Sequence, residues 1–153
     1  MVKVVRRSKR KVKLVRRSKR KVKLVRRPQR KVTRLTGSIE WDGERGRIVT
    51  AIIREGGTPE PHEHDIAIRC TYENERIYEV GLDHVADGFY RGPYNATLGS
   101  EKWDGVAKCN LTRKSRGFNL VGQWAEQGSM LSWAAELTPI PSTPRRTGRR
   151  RHR

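Results

Sequence analysis

The chain has little from which a membrane helix or a disulfide framework could be built. Its 153 residues contain two cysteines, two phenylalanines and two methionines. Two cysteines do not make a disulfide scaffold. Cys70 and Cys109 each lie in an apolar stretch, where a thiol serves as a small buried hydrophobe. No apolar run reaches the roughly 20 residues that a spanning helix needs. No apolar core stands near the start as it would in a secretion signal, which predicts an intracellular, non-secreted protein, in the cytoplasm or nucleoid, or in the nucleus of a eukaryotic host. A Gly-rich phosphate loop, a CxxC pair and a GxSxG elbow are missing as well. A non-enzymatic role without a cofactor is therefore expected.

Carboxylates are missing from two further places. Residues 1–34 hold eighteen Lys and Arg and no Asp or Glu, and residues 145–153 hold six Arg and no acid. The span 35–144 keeps eleven basic residues and all sixteen acidic ones, which leaves it five charges negative within a chain of formal charge +19. The charge thus divides the chain into a basic arm (1–34), a mildly acidic body (35–138) and a Pro/Arg-rich tail (139–153).

What the arm does have is repetition. VKVVRRSKRK, VKLVRRSKRK and VKLVRRPQRK follow one another over residues 2–31. A ten-residue period slips by about 80° per repeat on a helix, so Val2, Val12 and Val22 would lie on different sides. That argues against an amphipathic membrane-lying helix. Without a partner strand, and with like charges crowded together, the arm is expected to be disordered when free.

Such an arm suits a polyanion. Arg grips phosphate bidentately, Lys acts as a point charge, and both release counterions on binding. The candidate contacts are Arg6, Arg7, Lys9, Arg10 and Lys11 in the first repeat, and Arg16, Arg17, Lys19, Arg20 and Lys21 in the second. Arg26, Arg27, Arg30 and Lys31 follow in the third, and Arg145, Arg146, Arg149, Arg150, Arg151 and Arg153 in the tail. No aromatic residue interleaves the arm, so base stacking is unavailable there and binding should be largely blind to sequence. Lys-Arg-Lys-Val-Lys at 9–13 and 19–23 resembles a short nuclear-import signal. Thr143-Pro144-Arg145-Arg146 resembles the Ser/Thr-Pro-basic elements of chromatin tails that favour narrow minor grooves. The competing readings are an anionic membrane surface, a solvated tail, or a repeat translated ahead of the natural start.

From Leu35 the apolar period becomes two. Leu35, Gly37, Ile39 and Trp41 alternate with polar neighbours, and similar runs recur around 47–54, 66–72, 78–82, 90–98, 107–111, 118–124 and 131–137. Asp42-Gly43, Asn74-Glu75, Asp87-Gly88, Ser115-Arg116-Gly117 and Gln127-Gly128 read as turns between them, as does the region Gly99–Gly105, closed by Asp104-Gly105. Gly92-Pro93 suggests an edge strand or bulge. About eight short strands joined in order, with no helix, predict an all-β antiparallel meander, most simply an up-and-down barrel, with a sandwich as the alternative. Trp41, Trp124 and Trp133 fall in phase with the core. Trp103 falls inside the turn region, where it would be exposed, free to stack on a base or to cover the barrel end.

The final strands, Gly122-Gln-Trp124 and Leu131-Ser-Trp133, resemble the closing hairpin of avidin- or lipocalin-type meander barrels over about twenty residues. That resemblance implies a barrel with an inner cavity, and the alternative function is a small-ligand-binding barrel. In the main reading the β body is a platform for a protein partner or a small apolar ligand. The resemblance carries over no ligand-binding residue.

Two smaller features stand in the loop after the second strand. His62 and His64 would face one side on a strand, as a metal pair requires, with His84 as a third ligand; in a Pro- and Glu-rich loop the usual state of such histidines is simple exposure. Glu60, Glu63 and Asp65 are placed to hold a basic arm when no polyanion is present.

Overall fold

The alternation of apolar and polar residues is realised as eight antiparallel strands. The computed structural model describes residues 28–73 and 75–141. The strands are β1 (Lys31–Trp41), β2 (Glu44–Glu55), β3 (Ile66–Tyr72), β4 (Arg76–Ala86), β5 (Phe89–Leu98), β6 (Glu101–Lys114), β7 (Gly117–Glu126) and β8 (Ser129–Pro139). Each pairs with the next, and β1 pairs with β8, so the meander closes into a barrel. Closure removes the free ladder edges that an open sheet of this sequence would expose.

Two tight turns show how local chemistry sets the register. Asp42 and Gly43 have φ of 47° and 76°, and Gln127 and Gly128 have 48° and 80°. Positive φ at both central residues is the requirement of the hairpin turn whose twist matches the strands. The four short connections β1–β2, β3–β4, β5–β6 and β7–β8 lie at one end of the barrel. The start of β1, the β2–β3 loop, the β4–β5 and β6–β7 turns and the end of β8 lie at the other, here called the arm end.

The interior is filled by side chains. Towards the turns, Trp124 is fully buried and has Tyr78, Trp133, Trp41 and Tyr94 around it at ring-centroid distances of 5.6, 5.7, 5.6 and 5.8 Å. Towards the arm end the core is aliphatic, with Leu35, Ile53, Ile66, Leu82, Leu120 and Leu137 buried. Arg113 and Glu55, both at inward positions, form an ion pair across that mouth, with Arg113 lying over the Phe118 ring. The inner space implied by the avidin- or lipocalin-like hairpin is thus taken up, around Trp124, by the protein's own aromatic rings.

Three local expectations change. β6 begins at Glu101, so Trp103 and Asp104-Gly105 belong to a strand rather than a turn, and Trp103 packs 6.2 Å from Tyr78 instead of standing exposed. Gly105 is needed there because a Cβ would come within 2.6 Å of the Tyr94 ring and 2.8 Å of the Ala125 carbonyl oxygen. Gly92-Pro93 marks no edge, since the barrel has none. Nor does it mark a bulge: the β4–β5 register is the same at Val80↔Tyr94 and Asp83↔Arg91, and the irregularity of that pair falls between His84 and Ala86. Finally, residues 31–34 are the first residues of β1 and not arm, and β8 runs through Pro139.

Candidate nucleic-acid interface

Because β1 and β8 are antiparallel neighbours, the chain enters and leaves the barrel side by side. The Ile140 backbone N–H donates to the Arg34 carbonyl at 3.0 Å, and Leu35 faces Pro139. Both basic segments therefore depart from the arm end. Of the sequence-derived contacts, Arg30 and Lys31 are within the described residues. Arg6, Arg7, Lys9, Arg10, Lys11, Arg16, Arg17, Lys19, Arg20, Lys21, Arg26 and Arg27, and Arg145, Arg146, Arg149, Arg150, Arg151 and Arg153, lie outside them.

Lys31 is exposed at the start of β1. Arg30 is not: its side chain retains 11% exposure and is held in a cradle. Its Nε donates to the Gly56 carbonyl at 2.8 Å, and its Nη2 donates to the Arg54 carbonyl at 3.2 Å and to Asp65 Oδ1 at 2.5 Å. Its Nη1 lies 3.5 Å from Glu63 Oε2. Arg54 completes the cluster, with Nε 2.8 Å from Glu63 Oε1 and Nη1 donating to the His64 carbonyl at 2.7 Å. Glu63 and Asp65, two of the three acids assigned to an arm-holding role from sequence, thus grip the last cation before β1.

The electrostatics follow from this crowding. Burial opposes ionisation of Asp65, but the His84 backbone N–H and the Arg30 guanidinium outweigh it and hold the carboxyl below its ordinary range. Glu63 is lowered first by the Glu60 backbone N–H and then, against burial, by Arg54 and Arg30. The cradle is anionic by construction and matched to a guanidinium.

The histidines take other roles than a metal pair. His62 sits in a turn with φ of 67°, not on a strand. His64 Nδ1 lies 3.1 Å from Asp83 Oδ2, while the His84 backbone N–H donates to Asp65 Oδ2 at 2.7 Å and its ring meets Tyr90 edge-on at 5.4 Å. Among the described residues no three His, Cys, Asp or Glu side chains converge as a metal site would require.

The arm end is consequently divided. On the β2–β5 side stand Glu60, Glu63, Asp65, Asp83 and Asp87, with Arg30 and Arg54 enclosed among them and Arg91 exposed opposite Asp83. On the β6–β1 side stand Lys31, Arg34, Lys114 and Arg116, all exposed. Sequence reasoning missed Lys114 and Arg116. Their signal, Arg113-Lys114-Ser115-Arg116, is visible as a basic turn, but only the closed topology places it beside the two chain exits. Comparison with known proteins finds no matching family model, no matching curated protein and no matching solved structure.

Proposed function

We propose that this protein is a non-enzymatic nucleic-acid-associated protein that holds phosphate backbones through its two basic terminal segments, largely without regard to base sequence. The supporting observation is the β1–β8 seam, which joins a segment with sixteen Lys and Arg before β1 and one with six Arg after β8 to the same end of a mildly acidic barrel. Segments joined to one end of a body can meet one polyanion from the same side. Charge spread around a sphere would not. Each neutralised phosphate releases counterions, so affinity must fall with salt at a slope of about −0.9 per contact on duplex DNA.

The test is a binding titration of duplex and single-stranded DNA and RNA with the full chain, between about 50 and 200 mM salt. A logarithmic slope of about −5 or steeper, with little difference between unrelated sequences, is expected. Binding that ignores salt, or none at all, would overturn the reading.

A further inference from the structure

The β6–β7 turn is the one connection at the arm end that projects cations without enclosing carboxylates. Lys114, Ser115 and Arg116 are all exposed. Elsewhere on the barrel several cations are already engaged: Arg45 with Glu40, Arg69 with Glu79, Arg54 with Glu63, and Arg113 with Glu55. Among the described residues neither Lys114 nor Arg116 makes such a pair. Lys114 Nζ lies 2.7 Å from the Asn119 side-chain oxygen in its hydrogen-bonding orientation, a neutral contact that leaves the charge uncompensated.

Position gives these charges a use. Lys114 faces Gly117, and Phe118 faces Leu137, so the turn stands one to two strand spacings, about 5–10 Å, from the end of β8. Beyond β8 come Arg34 and Lys31 on β1. Along the outer wall of this arc near the arm end, Glu136 is the carboxylate among the described residues. The opposite arc presents Glu60, Asp83 and Asp87 to solvent, with Arg91 as the exposed cation facing Asp83 across β4 and β5. A phosphate backbone approaching the arm end meets attraction on one half and repulsion on the other.

We propose that Lys114 and Arg116 make the β6–β7 turn a third phosphate-contacting element, which seats a nucleic-acid backbone on the β6–β1 half of the arm end while the acidic β2–β5 half turns it away. The inference rests on the function proposed above and adds an orientation to it: the segments supply affinity, and the turn fixes which way the barrel faces.

The experiment is a salt titration of duplex DNA binding with the full chain, the double variant Lys114→Gln/Arg116→Gln, and the control Arg45→Gln/Lys102→Gln. The control removes the same charge from exposed positions at the opposite end. The expected result is a slope shallower by about 1.8 for Lys114→Gln/Arg116→Gln, two contacts at about 0.9 each, and an unchanged slope for the control. Salt-dependent binding by the full chain with a wild-type slope in Lys114→Gln/Arg116→Gln, or with equal shifts in both variants, would overturn the seating while leaving the segments' role intact. No salt-dependent binding by the full chain would overturn both.

Discussion

Cys70 and Cys109 are free, fully buried and pushed up to about 12 by removal from water. A thiol is nucleophilic only as thiolate. Neither residue should therefore react with a thiol reagent at pH 8 until denaturant is added, when both should label; rapid labelling of the native protein would mean the barrel wall opens at these positions. At the arm end, Asp65 links stability to pH. Its folded value is depressed, so the stability it contributes is present above the ordinary carboxylate value of about 4 and is lost as pH falls through the lower folded value. Asp65→Asn should cost about 1–3 kcal/mol at neutral pH, because Arg30 loses its anion, and should flatten the acid limb of a pH–stability curve measured by urea unfolding. An unchanged acid limb would mean that the cradle contributes nothing to folding. The burial of the cysteines was legible in the sequence, since each alternates in phase with apolar neighbours. The cradle was legible only as a set of acids, because Arg30 and Asp65 are 35 residues apart and nothing local announces their meeting.

At the scale of the element, strands and most turns follow from alternation and turn chemistry, and the failure at β6 shows what local signals lack. Asp42-Gly43 and Asp104-Gly105 are the same dipeptide. The first makes a turn with positive φ at both residues. The second continues a strand, with its glycine chosen by the Tyr94 ring that lies against it and by the Ala125 carbonyl behind. A tertiary contact decided the outcome, and no window of sequence contains it. Tyr94 cannot retreat easily: it is fully buried and its hydroxyl donates to the Ala125 carbonyl at 2.5 Å. Gly105→Ala should consequently destabilise the barrel by about 1–3 kcal/mol through overpacking, read from urea midpoints at constant slope. A neutral outcome would show that the aromatic half of the core is loosely filled.

The whole molecule is a sorting of charge. Sixteen carboxylates belong to a barrel whose buried core is apolar and whose outer wall and mouth carry ion pairs, while most of the cationic excess lies in sequence before β1 and after β8. The all-β meander and its closure could be anticipated from the even spacing of short strands. The common end for both basic segments, and the split of that end into acidic and basic halves, could not, because they depend on β1 meeting β8 across the full length of the chain. The most direct measurement of this arrangement compares the salt dependence of duplex binding for the full chain with that of residues 28–141 alone, which carry a formal charge of −2. A slope of about −5 or steeper for the full chain, falling to about −2 or shallower for the barrel, is the expected result. Equal affinity and equal slope for the two would contradict it, and would place the nucleic-acid contacts on the barrel wall instead.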